Sequence, residues 1–335
     1  MKSTIILKYN EKDEEHKITD DMESYEWTDN ASGSADTLTL TLRNDGKQKW
    51  MHGYMPAVKD FIQAWIQTQD WPVGKTTQKV YCGKFAIDSL EYSGFPETVE
   101  LSGISVPINT GFNITQRYKT WKKTTVRTIL SALSKNAGIR LQFDAEDHKI
   151  DSISQSGKTD LNFAFSICQD YDLCLKIYNK KMVVYNQTKY EKKKSIATIK
   201  RTSLGGSGAY RISDQRSKEY NAIKINYTES NGKTLTYSFK RPGTAGNRVM
   251  YISEKAESLK DAEVKAKAAL RASIRECRTA TILLTGDPRY MAATNVELKD
   301  FGKLDGKYFA DAVTHSKNGG SYTTTLTLHQ TVTDF

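Results

Sequence analysis

Paired carboxylates are the residues to seek first in a chain that could hydrolyse a polymer, because acid–base cleavage needs two of them flanking one bond. Asp144, Glu146 and Asp147 cluster, broken by Ala145, and Asp20 adjoins Asp21. Without pocket geometry neither group is a strong catalytic candidate: the Asp144 cluster reads as a polar turn, and Asp20-Asp21 does not stand out. Asp88 follows Ala86-Ile87, and Asp305 stands in Leu304-Asp305-Gly306-Lys307, where Asp-Gly is a hairpin signal before it is a catalytic one. Metal chemistry needs clustered cysteine or histidine. Cys82, Cys168, Cys174 and Cys277 form no CxxC pair, and His16, His52, His148, His315 and His329 are scattered, so no metal or other cofactor is expected. Cys168 on a helix face and Cys174 in a strand read as small buried apolar residues.

No GxSxG, HExxH, P-loop or strand-linked GxGxxG is present. Leu204-Gly205-Gly206-Ser207-Gly208 is glycine-rich, but no helix N-terminus follows to hold a phosphate, and it reads as a loop. The chain is therefore expected not to be an enzyme. The formal charge is +10, with its densest run at Lys189-Tyr190-Glu191-Lys192-Lys193-Lys194. With Trp27, Trp50, Trp65, Trp71 and Trp121 this composition could suit nucleic acid. A solvated connector and core or interface aromatics explain the same residues more simply.

With 335 residues, 38% hydrophobic and 26% charged, the chain is long enough for two to four compact units. The apolar run after Lys2 is three residues long, short of a signal peptide, and no run approaches a membrane span. Synthesis in a cytoplasm, without membrane insertion by this chain, is the expectation.

The elements that would position these residues fall into three blocks. Residues 1–110 read as β: Thr4–Tyr9, then Thr37–Leu42 with its strict Thr/Leu alternation, Lys59–Thr68, Lys79–Asp88 and Val99–Ile104. Such runs argue a barrel or sandwich. Residues 111–190 read as an α+β module. Val126, Ile129, Leu130, Leu133 and Ala137 line one helix face, with Thr124 or Thr125 at the N-cap and Gly138 past the end. Ile139–Phe143 reads as a strand. A second helix after Thr159-Asp160 carries Leu161, Ala164, Phe165 and Cys168, and a hairpin turns at Asn179-Lys180-Lys181. Residues 191–335 return to β. Ala222–Tyr227 and Thr234–Phe239 flank a turn at Glu229-Ser230-Asn231-Gly232. One long helix, about 258–277, starts at a Ser258 cap with a Glu263–Lys267 pair. Strands follow at Thr279–Thr285, Thr294–Leu298, Lys307–His315 and Thr323–His329.

Gly83-Lys84-Phe85-Ala86-Ile87-Asp88 is followed by Gly94-Phe95-Pro96 and Val99–Ser105. Trp121-Lys122-Lys123-Thr124-Thr125-Val126 leads into the first helix of the α+β block. Asp305-Gly306-Lys307-Tyr308, Val313-Thr314-His315 and Tyr322-Thr323-Thr324 come near the end. In this order the three stretches resemble the late-control-D-like tail hub family of phages and contractile injection particles: its G-x-F-x-I-D strand and turn, the entry to its inserted module's helix, and its C-terminal hairpin.

The resemblance implies a mainly β chain of two tube-protein-like β-barrel or sandwich domains around an inserted α+β module. It also implies a structural baseplate hub. A homotrimer would join the sixfold tail tube protein to the threefold central spike protein, meet tape measure or other baseplate proteins, and leave a channel that DNA could pass. Trp121, Phe85, Asp88, Tyr308, His315 and Tyr322 stand out as structural or interface candidates. The chain ends just after the hub-like hairpin, so the spike is expected to be a separate protein. Made in a bacterial cytoplasm, the hub would join a phage or tail-like bacteriocin particle released on lysis. The alternatives are a cell-wall-binding or peptidoglycan-cleaving tail protein, and a DNA-binding module.

Overall fold

The computed structural model describes residues 2–10, 18–44, 49–52, 56, 60–70, 77–107, 111–228, 232–256 and 258–335. His16, Lys59, Trp71 and the turn residues Glu229, Ser230 and Asn231 lie outside the described residues. The chain is mainly β with an α+β insertion.

The first β-unit holds β1 (Lys2–Tyr9), β2 (Met22–Asn30), β3 (Thr37–Arg43), the short α1 (Lys49–His52), β4 (Phe61–Gln69), β5 (Gln78–Ser93) and β6 (Thr98–Ile104). Leu38, Leu40 and Leu42 all point into its core while the intervening threonines face out, as a period of two requires. Two bulges bracket the G-x-F-x-I-D stretch, one opposite Ala64–Trp65 and one at Ile87–Ser89. Between them Phe85 and Ile87 both face inward.

The inserted module holds β7 (Gln116–Thr125), α2 (Val126–Asn136), β8 (Arg140–Asp144), β9 (Lys149–Thr159), α3 (Asp160–Asp170), β10 (Leu173–Tyr178), β11 (Lys181–Asn186) and α4 (Gln187–Glu191). Thr125 caps α2 by accepting from the Thr128 N–H, and Gly138 follows its end at φ +65°. Thr159 caps α3 in the same way, through the Asn162 N–H. The buried face of α3 includes Phe163 and Ile167, whereas Phe165 is only partly covered. Asn179 and Lys180 both take positive φ, the two-residue hairpin geometry that fits the strand twist. Long polar β7 and β9 pair antiparallel as a separate two-stranded ladder.

The last block divides. β12 (Ser195–Lys200), β13 (Tyr210–Asp214), β17 (Arg278–Thr285), β18 (Asn295–Lys299), β19 (Gly306–Asn318) and β20 (Ser321–Gln330) share one core. β14 (Ala222–Thr228), β15 (Thr234–Lys240) and β16 (Val249–Ala256) form their own sheet under α5 (Leu259–Arg275), with its own core. Ser258 caps α5 through the Asp261 N–H, and Glu263 pairs with Lys267 at 2.6 Å.

The two β-units are not separate bodies. They share one twelve-stranded sheet in the order β1-β4-β5-β6-β3-β2-β19-β20-β17-β13, with β18 and β12 branching from β19. β19 makes the splice. Gly306–Phe309 pair with β18, Ala312–Asn318 pair with β2, and β20 runs along the opposite edge. The changeover falls at Asp311, the extra residue of a bulge. Bulges redirect a strand, and here one strand serves two cores.

Candidate functional site: the polar junctions between the units

The six residues singled out by the sequence do not converge on one place. Phe85, Tyr308, His315 and Tyr322 are buried, so each packs within its own chain. The Tyr308 hydroxyl donates to the Leu304 carbonyl at 2.9 Å. Asp88 is exposed, at the second bulge of β5. Trp121 lies in β7, half-buried against the module core, with the Lys119 ammonium 3.6 Å from its ring centroid. Glu146 and Asp147 lie in the β8–β9 turn and Asp144 ends β8, and Asp147 accepts from the Arg127 N–H at 3.0 Å. Cys82, Cys168, Cys174 and Cys277 are buried free thiols. Among the described residues no group of His, Cys, Asp and Glu is arranged to hold a metal.

His315, Tyr322 and Thr324 do meet. The imidazole Nε2 lies 3.0 Å from the Tyr290 carbonyl, which can only accept, so Nε2 carries the hydrogen. Nδ1 is then the acceptor for the Tyr322 hydroxyl at 2.8 Å, with Thr324 Oγ1 at 3.2 Å. Burial holds the ring neutral by lowering its pKa to about 4. Gly286 makes room for this cluster. A Cβ there would sit 2.1 Å from the Tyr322 ring.

A second junction pins the module to the first unit. Lys176 of β10 reaches Asp29 Oδ1 at 2.5 Å, Asp36 Oδ1 at 2.6 Å and the Asn30 carbonyl at 2.6 Å. Burial opposes the charge on Lys176, but the two carboxylates outweigh it and raise its pKa. One ammonium cannot neutralise two buried carboxylates. Burial pushes Asp36 up to about 7, with Lys176 pulling the other way. The other Asp29 oxygen accepts from the Ala292 N–H at 2.8 Å, so this one aspartate touches all three blocks.

The third junction joins the most charged groups, and no local pattern marks it. Glu191, inside the basic run read as a solvated connector, is fully buried. It accepts from Arg275 Nε at 2.5 Å and from the Val332 N–H at 2.7 Å, and His329 Nε2 lies 3.3 Å away. Arg275 also reaches Asp172 at 2.6 Å, which takes Arg271 at 3.2 Å and the Thr188 hydroxyl at 2.8 Å. The other His329 nitrogen faces Asp311 at 2.8 Å. With a carboxylate on each nitrogen, His329 is held as imidazolium. Burial works against the charge, but Asp311 and Glu191 lift its pKa to about 9. A cavity of about 440 Å³ opens beside this network, lined in part by Gln169, Asp172, Arg275, Asp311 and His329.

The Lys176 and Glu191 junctions tie the three blocks together through buried charges, and of their carboxylate oxygens Asp36 Oδ2 is left without a hydrogen-bond partner. No protein-family model matches the chain, and no curated protein matches it in sequence. Its fold does match solved structures. A tail protein from Neisseria meningitidis MC58 superposes with a TM-score of 0.70 at 13% identity, covering 98% of this chain and 97% of that one. The 43 kDa tail protein of prophage MuSo2 from Shewanella oneidensis gives a TM-score of 0.70 at 13% identity, over 98% of each chain. An Escherichia coli type VI secretion component, described as similar to the T4 tail proteins gp27 and gp5, gives 0.57 at 10% identity over all of this chain and 78% of its own. At these identities the likeness is one of fold.

Proposed function

We propose that this chain is a structural, non-enzymatic hub in the baseplate of a contractile tail. Three copies ring the axis between the sixfold tail tube and the threefold spike. The observation that carries this reading is the splice at β19. It fuses two β-units into one twelve-stranded sheet, so each chain offers two units rigidly fixed to one another. Three such chains give six units around a threefold axis, which is what a joint between sixfold and threefold partners needs. The fold likeness to two tail proteins over nearly their whole lengths supports the same reading. So do the buried ionic junctions, which hold the units in register rather than opening a reaction site. The tube protein, the spike protein and other baseplate proteins are the partners proposed, with DNA passing the ring as cargo.

Native mass spectrometry of the chain, alone and with its neighbouring tube and spike proteins, tests the proposal. A trimer, alone or on adding the spike, is expected. A monomer that ignores both proteins overturns it.

A further inference from the structure

The charge of this chain is unevenly placed. Residues 1–110 carry 11 Lys and Arg against 17 Asp and Glu, net −6. Residues 111–190 carry 13 against 7, net +6, and residues 191–335 carry 25 against 15, net +10. The excess gathers at particular strand positions. Glu91 of β5 and Glu100 of β6 are direct cross-strand partners, both exposed. Asp88 and Glu26 are exposed in the same unit. On the other unit Lys200 of β12 and Lys299 of β18 are direct partners, both exposed, with Arg201 and Lys303 exposed close by in sequence. Among the described residues no ion pair is formed by Glu91, Glu100, Lys200 or Lys299. Like charges set directly opposite one another destabilise a sheet. Among the described residues the inserted module has two such basic pairs, Arg140–Lys181 and Arg117–Lys158, while the sheet that joins the two β-units keeps one acidic pair, Glu91–Glu100, and one basic pair, Lys200–Lys299. Among the described residues β12 pairs only with β18, which leaves its other edge without a strand partner.

We infer that the two pairs are complementary across copies: the acidic β5–β6 face of one chain docks on the basic β12–β18 edge of the next. This rests on the hub reading and adds to it the contact that closes the ring. Neither patch can pair with itself, and when each copy offers one patch to either neighbour the contact runs head to tail, forming a ring when the rotation closes. A second copy is the occupant because the complementary patch is present in the chain itself. A nucleic acid would use the basic edge and leave Glu91 and Glu100 opposed.

The test is the oligomeric mass of the full chain by light scattering and native mass spectrometry, at low and high salt, with folding checked by circular dichroism. K200E/K299E and E91K/E100K should each weaken association at least about tenfold at low salt, where exposed charges act over roughly 10 Å or more. The fourfold swap E91K/E100K/K200E/K299E should restore it to within about threefold. A trimer indifferent to both double substitutions, or a swap that fails to restore it, overturns the inference and leaves the hub reading standing. A basic-edge variant that keeps its oligomer but loses retention of single- or double-stranded DNA overturns it in favour of nucleic acid. A wild-type chain that stays monomeric with tube and spike at low salt removes the hub reading as well.

Discussion

His315 lies flat against Trp27 across the β2–β19 seam, with ring centroids 5.1 Å apart and planes 14° from parallel. Trp27 is fully buried in the first unit's core, while His315 hangs from the strand that also serves the second. The seam is thus packed by side chains of both units, and the two should unfold together. Trp27→Ala removes the largest buried side chain there and is expected to cost about 3–5 kcal/mol. In urea, probes on each unit should shift by the same amount. Two separate transitions, with the second unit at its original midpoint, would show that the seam carries little energy.

The same histidine fixes an acid limit. Its folded pKa is lowered by burial to about 4, below the usual value of 6.5. A lowered histidine contributes nothing against unfolding above about 6.5, and costs stability as pH falls from there towards 4, because the unfolded chain takes the proton first. The loss is on the order of 3 kcal/mol. His315→Gln should flatten this arm of the pH–stability curve while lowering stability at pH 7. An unchanged acid arm would place the titration elsewhere.

Much of the fold could be read locally. Val126, Ile129, Leu130 and Leu133 announce α2 by spacing, and Thr125, Thr159 and Ser258 all cap the helices they precede. The residues of the third hub-like stretch, His315, Tyr322 and Thr324, turn out to bond one another. β7 and β9 were not legible, because their sequences QRYKTWKKTT and KIDSISQSGKT are polar and each is extended only through pairing with the other. Glu191 was hidden for a related reason. Its neighbours in sequence are lysines, whereas the partners that make its burial tolerable, Arg275 and His329, lie 84 and 138 residues away. Nothing local marks a charge that tertiary pairing will bury.

Lys176→Met tests the joint between the module and the first unit. It leaves Asp29 and Asp36 buried without their cation, and breaking a buried pair in this way costs about 3–5 kcal/mol. The deficit should be largest at pH 8 and shrink towards pH 5, because Asp36, which burial raises to about 7, then carries a proton and no longer needs the ammonium. Adding Asp36→Asn should recover part of it. A deficit that does not vary with pH would mean the lost methylene packing, and not the charge, carried the effect.

Gly286→Ala isolates the room made for Tyr322. The added methyl would meet the ring, so the ring or the backbone must move, and overpacking of this kind costs about 1–3 kcal/mol. Combining it with Tyr322→Leu, which removes the obstructing ring, should make the two effects less than additive. Strict additivity in thermal unfolding would show that the glycine and the tyrosine do not press on one another.

His329 sets the alkaline limit, with the opposite sign. Its folded pKa is raised to about 9 by the carboxylates of Asp311 and Glu191. A raised histidine contributes its full stabilisation below about 6.5 and loses it as pH climbs through 9. Stability should therefore fall between pH 6.5 and 9, with the module and α5 loosening from β20, because His329 and Arg275 share Glu191. His329→Gln should remove that dependence. Glu191→Gln removes the carboxylate from both cations and is expected to cost about 3–5 kcal/mol, the larger effect of the two at pH 7. Hydrogen exchange of the α5 backbone amides, followed from pH 6.5 to 9 with intrinsic rates divided out, reads the loosening directly. Protection that stays constant across that range would show that the imidazolium does not hold this junction.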